Sequence, residues 1–253
     1  TTHSPFMGDV DHLERARAVY EYNEGTTQVS EDVWPRDKDS LFPLQAALGY
    51  QIAQSLFISK RQLIVEGLTD LWILKALNQA LASQGKTTLR ADIVVTPSAG
   101  VSKLLPLASI LMGHDVEIVA LLDGDEPGRR EGKKLVDKLL SCDNKRCLFI
   151  GDFIPAIQNA ELEDLFPESN YLNAVKEAYP ELDLTFNEDE LAQRGIVKKI
   201  RAFFERKELG TFEKWRPAAV LRDRITTDPK TVTQQTCEVM EKIFEAVNSV
   251  FSK

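Results

Sequence analysis

The sequence is poor in the residues that several common kinds of site require. Its 253 residues include three histidines and three cysteines, and Cys142, Cys147 and Cys237 fit neither a zinc pattern nor a disulfide framework. The G-x-S-x-G motif of many hydrolases is also missing. These absences argue against zinc catalysis and serine hydrolysis, and so few cysteines indicate a reducing, cytoplasmic compartment.

Long apolar runs and an excess of basic residues are lacking as well. The most apolar long stretch, residues 41–58, is interrupted by Pro43, Gly49 and three glutamines, so we expect no membrane-spanning helix, and no signal peptide is recognisable. A net charge of -8 argues against nonspecific coating of nucleic acid. Basic residues do concentrate in segments 129–138 and 198–216, which are either one charged face or ordinary solvated helix surface.

A repeated strand-and-helix pattern indicates the fold. Short apolar runs at 62–67, 91–100, 115–128 and 146–153 alternate with helical spacing, which predicts a doubly wound parallel α/β sheet flanked by helices. Later segments predict an additional helical subdomain with helices at 168–180, 187–207, 212–225 and 229–251. We therefore divide the chain into a connector ending in a helix (1–60), a sheet core (61–167) and the helical subdomain (168–253).

Acidic residues stand where the predicted strands end. Glu66 ends the first strand, Asp70 lies in the first turn of the next helix, and Asp123 and Asp125 end the third strand. Each alone also suits a turn or a helix start, as Glu126 does. Ligands bind at the carboxyl edge of such a sheet, where clustered carboxylates repel one another unless a divalent cation binds them. Together they predict a metal site.

Two further segments are less decisive. ELEDLF carries Glu161, Glu163 and Asp164, which either start a helix or join the acids, and we take Glu163 as the candidate ligand. TPSAGVSK is either a plain turn or a set of backbone amides for an anion. ASQGKTT ends like a Walker A loop, but alanine stands where its first glycine belongs and a helix precedes it, so we predict no nucleotide site there.

The trio QLIVEGLTD, VVTPSAGVSK and VALLDGDEPG resembles the Toprim domain of topoisomerases, primases and certain nucleases. Glu66, Asp123 and Asp125 match its glutamate and its Asp-x-Asp pair. Asp70, the Ser-Ala-Gly turn and the ELEDLF acids are similar, more particularly, to the overcoming lysogenization defect (OLD) family of nucleases. The resemblance covers about residues 40–225.

This resemblance implies an enzyme that cleaves DNA phosphodiesters with two divalent cations, Mg2+ or Mn2+, for which Ca2+ is an inactive mimic. It implies that Asp123, Asp125 and Glu163 hold one ion and that Glu66 and Asp70 hold the other. A lysine that opens a helix after the late acids should stabilise charge in the transition state. Lys214 in GTFEKWRPAAV matches that position, and Lys207 is the second choice.

The first residues resemble part of another domain. TTHSP is similar to the segment that carries the switch histidine of ABC-type ATPases, with His3 in that position. The resemblance thus implies two partners, DNA and an N-terminal ABC-type ATPase domain, and no membrane. It leaves a homodimer of the longer protein open.

Other functions remain alternatives at this point. One is a noncatalytic DNA-binding or interaction module whose acids form a regulatory cation site. Others are a primase, a topoisomerase, which would need a nucleophilic tyrosine, or a haloacid-dehalogenase-like phosphatase. The phosphatase normally carries its nucleophilic aspartate on the first strand, where this chain has Glu66.

Overall fold

The computed structural model describes residues 17–21, 26–30, 59–157, 159–186 and 195–251. The chain divides into two compact units, Thr1–Ile58 and Ser59–Lys253. In the first unit, strands β1 (Ala18–Glu21) and β2 (Thr27–Ser30) pair antiparallel, where the sequence predicted only a polar connector. His3 and almost all of the helix predicted between residues 40 and 59 lie outside the described residues.

Four parallel strands form the sheet of the second unit: β3 (Arg61–Val65), β4 (Ile93–Pro97), β5 (Glu117–Leu122) and β6 (Cys147–Phe149). Their order in the sheet is β4-β3-β5-β6. The apolar runs of β3 and β5 are buried, as expected for parallel strands with helices on both faces. The prediction of a parallel α/β sheet flanked by helices is confirmed.

Helices follow the first three strands of this sheet: α1 (Leu68–Ser83), α2 (Leu104–Met112, after a 3-10 turn at Val101–Lys103) and α3 (Glu126–Lys138). From β3 the chain passes to β4 on one side, and then returns across β3 to β5. Right-handed crossovers therefore place α1 on one face of the sheet and α2 with α3 on the other. In agreement with this, α2 and α3 pack against each other.

The fourth strand of the sheet is shorter than the predicted run at 146–153. It ends at Phe149, and Ile150–Phe153 forms the one-turn helix α4. A Cβ atom added to Gly124 would lie 3.2 Å from the backbone of Gly151, so these two segments pack more closely than side chains allow. The turn after β5 therefore packs directly against the segment that follows β6.

The described residues after 167 form the helices α5 (Glu168–Ala178), α6 (Ile196–Arg206), α7 (Trp215–Thr227) and α8 (Gln234–Val250). The helix predicted at 187–207 corresponds to α6 in its second half, and residues 187–194 lie outside the described part. Helix α7 packs against α1 and α5, and α8 also contacts α1, so these helices cover the α1 face. Within the described ranges, no helix has both the length and the apolar character needed to cross a bilayer.

A charged cluster, the amino-edge cluster of Arg61, Arg90 and Asp92, lies where β3 and β4 begin. Arg90 Nη2 lies 2.7 Å from Asp92 Oδ2, and Arg61 Nη1 pairs with the same oxygen. Hydrogen bonds from Arg90 and Arg61 lower the pKa of the Asp92 carboxyl against a smaller opposing effect of burial. The backbone N–H of Arg90 donates to Asn248 Oδ1 at 3.1 Å, which ties α8 to this edge.

Candidate functional site

Two acids meet at the opposite, carboxyl edge of the sheet. Glu66 follows β3 and Asp123 follows β5, and these strands are neighbours. The backbone N–H of Asp123 donates to Glu66 Oε1 at 3.0 Å. The connection after β3 leads to β4 on one side of this strand pair, and the connection after β5 leads to β6 on the other side. The two acids therefore lie at the topological switch point of the sheet. Ligands of doubly wound folds bind at such a crevice.

Asp70 is placed beside them by helix α1. It is the third residue of the helix, it is 7% exposed, and its Oδ2 accepts a hydrogen bond from Gly67 N–H at 2.8 Å. That bond satisfies a backbone donor ahead of the helix, which is the structural role that the sequence also allowed. The Asp70 charge nevertheless contributes to raising the pKa of Glu66, Asp123 and Glu163, so it belongs to the same electrostatic cluster.

Asp125 caps helix α3. Its Oδ1 accepts from Gly128 N–H at 2.8 Å, and Glu126 is the first residue of the helix, as predicted. A Cβ atom on Gly128 would lie 2.5 Å from the Asp123 carbonyl oxygen and 3.0 Å from Glu66 Oε1. Glycine is therefore required where α3 begins against the two strand-end acids.

The ELEDLF segment brings further acids to this edge. It forms a 3-10 turn, Leu162–Leu165, and Gly124 N–H donates to the Ala160 carbonyl at 2.8 Å, which docks the segment on the turn after β5. Glu163 is 0% exposed and Glu161 7% exposed. Asp164 has a structural role, because it accepts from Ile196 N–H at 2.7 Å and from Glu161 N–H at 2.9 Å.

Lys214 lies among these carboxylates. Its Nζ is 2.8 Å from Glu163 Oε2, 3.2 Å from Glu161 Oε2 and 3.9 Å from Asp123 Oδ2. It immediately precedes α7, the helix-opening position expected from the sequence. Lys207, the second choice, is exposed at the end of α6, where its Nζ lies 5.9 Å from the ring centroid of Phe203.

We call Glu66, Asp70, Asp123, Asp125, Glu161, Glu163 and Lys214 the carboxyl-edge cluster. In the described part of the chain, Lys214 is the one cation that forms ion pairs with its acids. All five acids predicted as ligands and the predicted lysine thus come together. Glu161 was not among the predicted ligands, and the only signal for it in the sequence is its place beside Glu163 in the acidic segment ELEDLF.

Excess negative charge and burial shift the ionisation of this cluster. Burial, with Asp70 and Asp125 nearby, raises the pKa of Glu66 to about 7. Burial likewise raises the pKa of Glu163 to about 7 although Lys214 opposes it, and it raises that of Asp123 well above its usual range. Burial alone would lower the pKa of Lys214, but Glu163, Asp123 and other acids outweigh it and raise that pKa. The cluster therefore favours uptake of protons or cations.

The donor set suits a hard divalent cation, since every acid offers oxygen. Both carboxylate oxygens of Glu163 are shielded from solvent, and neither has a partner in hydrogen-bond geometry despite the close ion pair with Lys214. Among the described residues, however, no three acidic, histidine or cysteine side chains form a ready ligand set. Two features of the cluster oppose a ready ligand set. Lys214 Nζ lies among the acids, and backbone amides already hold the carboxylates of Asp70 and Asp125.

The TPSAGVSK turn supports Glu66 through the backbone. Gly100 N–H donates to the Glu66 carbonyl at 2.7 Å, and Ser98 N–H donates to the Val65 carbonyl at 2.8 Å. Ala99 and Gly100 both have positive φ, at 59° and 107°. These two amides hold the strand end, so of the two interpretations of this segment the structure favours the turn for Ser98 and Gly100.

Comparison with known proteins gives one distant relative and no family. An uncharacterized protein of Methanocaldococcus jannaschii is 26% identical over 267 residues, which cover 98% of this chain and 64% of the relative. The chain thus spans less than two thirds of the length of the curated relative it matches. No family model matches the chain, and no solved structure matches it. The relative's description names no activity.

Proposed function

We propose that this chain is the catalytic part of a metal-dependent nuclease that hydrolyses DNA phosphodiester bonds. One observation carries the proposal: acids from the ends of β3 and β5, from α1 and from the ELEDLF turn converge around Lys214 at the switch point of a parallel sheet. The resemblance to Toprim domains of the OLD family supports the same conclusion, and in that family the chain would follow an ABC-type ATPase domain.

In this proposal, Asp123, Asp125 and Glu163 hold one divalent cation, with Glu161 as an added candidate, and Glu66 with Asp70 hold the other. A pair of such ions, about 3.5 to 4 Å apart, activates water and stabilises the leaving oxygen. The ligands must lose protons to bind, and the pKa values of Glu66 and Glu163 near 7 make cation binding stronger as pH rises through neutrality.

Lys214 supplies positive charge to the same site. Its ammonium neutralises part of the cluster and is available to a phosphate oxygen once cations bind the acids. Because the side chain is only 18% exposed, its charge is weakly screened by solvent and acts strongly on a bound anion. Its role in the proposal is to stabilise the charge that develops on the phosphate in the transition state.

A plasmid-nicking assay with Mg2+ or Mn2+ tests the nuclease proposal. We expect the wild type to cut, EDTA to abolish cutting, and Asp123→Asn to lower the rate by about a thousandfold. The matched control is Asp183→Asn, which changes an exposed acid outside the carboxyl-edge cluster and should cut like the wild type. Cutting that survives both EDTA and Asp123→Asn would falsify the proposal.

The second candidate is a noncatalytic module with a regulatory cation site. The position of Lys214 favours it over a two-metal site, because an internal ammonium already neutralises part of the charge of three acids and fewer added cations are needed. This candidate predicts that the wild type binds a divalent ion and DNA but cuts under none of Mg2+, Mn2+ or Ca2+. The same assay therefore separates the two candidates.

A topoisomerase mechanism finds little support among the described tyrosines. Tyr171 is 0% exposed, and Tyr179 is 4% exposed with its hydroxyl accepting from Glu213 N–H at 2.7 Å. Neither hydroxyl is placed to attack a phosphate. The side chains of Tyr20, Tyr22 and Tyr50 lie outside the described residues.

A further inference from the structure

Helix α3 carries a basic surface that begins at the carboxyl-edge cluster. Its N-cap is Asp125, and Arg130 and Lys133 are exposed on the side that faces away from the sheet. Residues three apart on a helix are neighbours, about 5 to 6 Å apart at Cβ. Gly128, Gly132 and Leu135 are buried on the other side of the helix, where Gly132 packs against strands β5 and β6, so the outward direction of Arg130 is fixed by packing.

Lys103 extends the same surface. It ends the 3-10 turn Val101–Lys103, which contacts α3, and it is exposed. This turn begins after Gly100, whose N–H holds the Glu66 carbonyl. Lys103 is thus fixed close to the carboxyl edge on the α3 side of the sheet. We call Lys103, Arg130 and Lys133 the α3 surface.

The side chains of the α3 surface make few contacts with acidic groups among the described residues. Among the described residues, the side chains of Lys103 and Lys133 form no ion pair or hydrogen bond, and Arg130 makes one long contact, 3.4 Å, to Glu131. Glu131 is paired more closely with Lys134 at 2.7 Å. By contrast, helix α8, on the α1 face of the sheet, exposes the acids Glu238 and Glu245. Helix α3 also exposes two acids, Glu126 and Asp137, but no ion pair of either with Arg130 or Lys133 is present in the described residues, and exposed basic residues outnumber exposed acids on this helix.

We propose that the α3 surface binds the phosphate backbone of the nucleic acid whose scissile bond lies at the carboxyl-edge cluster. This proposal rests on the proposed function for the identity of the bound polymer. A linear polyanion suits cations that run outward from the cluster along a helix, and each neutralised phosphate releases counterions. The surface positions the backbone without reading sequence, as phosphate contacts do.

The test is DNA binding under conditions that do not depend on cleavage. Fluorescence anisotropy of a short labelled duplex is measured in EDTA, over a range of salt concentrations, for Lys103→Gln/Arg130→Gln/Lys133→Gln. The matched control is Lys145→Gln/Lys230→Gln/Lys242→Gln, which removes the same charge from exposed positions elsewhere. Thermal unfolding of both variants checks that each remains folded.

We expect the α3 variant to lose affinity by about tenfold or more at 0.1 M salt, and its slope of log K against log salt to become shallower by about 2 to 3. The control should keep the wild-type slope. Equal losses in the two variants, or a wild type that does not bind the duplex, would overturn the proposal. If the wild type binds through this surface but never cuts, the surface stands and the nuclease proposal fails. If the wild type cuts and the α3 variant binds DNA normally, the nuclease proposal stands and the proposal for the α3 surface fails.

Discussion

The two charged clusters at opposite edges of one sheet differ in their balance. In the amino-edge cluster, two arginines pair with the single carboxylate of Asp92 and lower its pKa. In the carboxyl-edge cluster, several acids share Lys214, and the pKa values of Glu66 and Glu163 rise to about 7. Each cluster lies at one end of β3, so the mere presence of a strand end does not explain why the pKa falls in one cluster and rises in the other.

The comparison shows what separates a structural cluster from a candidate site. The amino-edge cluster has two guanidinium groups for one carboxylate, but its side chains are 32% to 44% exposed, so solvent screens the excess charge, and the Arg90 backbone amide anchors α8. The carboxyl-edge cluster keeps an excess of buried carboxylates, which costs stability unless protons or cations bind. A buried excess of charge is a reason to infer a ligand, whereas an ion-pair network that solvent screens is not.

Replacing a basic side chain in each cluster should give the largest difference between them in cleavage rate and in stability. We expect Lys214→Gln to lower cleavage by about 10²- to 10³-fold while a divalent ion still binds. In EDTA the variant should lose about 3 kcal/mol of unfolding free energy, because buried Glu163 loses its partner, and Mn2+ should restore part of that loss. Single-turnover cleavage, metal titration and urea denaturation measure these effects.

Arg61→Gln is the corresponding change in the amino-edge cluster. Asp92 keeps Arg90 as its partner, so cleavage should stay at the wild-type level and Mn2+ should not restore any lost stability selectively. If both variants respond alike to Mn2+, or if Lys214→Gln loses metal together with cleavage, the role assigned to Lys214 is wrong.

A smaller effect should follow from displacing the acids without removing them. In Gly128→Ala, the new Cβ would meet the Asp123 carbonyl at 2.5 Å, so the start of α3 must shift. We expect cleavage to fall by about tenfold to a hundredfold and stability by about 1 to 3 kcal/mol. Cleavage rates and thermal unfolding are the measurements.

Gly113→Ala provides the matched control for that substitution. Its Cβ would find its nearest neighbours at 3.4 Å, and its φ of -62° suits alanine. This variant should therefore cut normally. Wild-type activity in Gly128→Ala would show that the start of α3 does not position the acids.

The two clusters should also respond to pH in opposite directions. The raised pKa values of Glu66 and Glu163 mean that protonation stabilises the metal-free fold below about pH 4.5, and that this contribution disappears as pH rises through about 7. The effect should be on the order of 2 kcal/mol. The lowered pKa of Asp92 contributes stability above its unfolded value, which is lost only in acid.

Urea denaturation in EDTA from pH 5 to pH 8 measures the carboxyl-edge contribution. Glu66→Gln/Glu163→Gln should flatten the decline, whereas Asp92→Asn should leave it unchanged between those pH values. A wild type whose stability does not fall over that range would contradict the charge excess inferred for the cluster. Added Mn2+ should reverse the trend, because deprotonated ligands bind it more tightly.

The sequence predicted much of the fold because apolar runs and helical spacing are local signals. β4 and β5 lie within the predicted runs, β3 begins one residue before its predicted run, and α1 and α3 follow their strands as expected. The short β6 was predicted too long, because its apolar run continues into Ile150, where the one-turn helix α4 begins. The pairing of β1 with β2 was also missed, because four-residue strands in a polar stretch give little periodicity.

For the site, the sequence showed which acids end a strand, but it did not show which later segments pack against those strand ends. Glu66 and Asp123 were predicted together because parallel strands end at one edge. The place of Glu161 depends on how the chain after β6 docks through Ala160, and the ion pairs of Lys214 depend on where α7 packs. The resemblance to the OLD family singled out Lys214, but it did not predict that Nζ would lie among the acids.

The late position of Lys214 in the chain has a consequence for biosynthesis. A ribosome delivers Glu66, Asp123 and Glu163 well before the residue that pairs with them, and domains fold as their segments emerge. A nascent chain that stops within residues 207–213 has the strands β3 to β6 but not the lysine, and its acids must stay hydrated or protonated. The segment that begins α7 thus completes the charge arrangement of a sheet that was synthesised long before it.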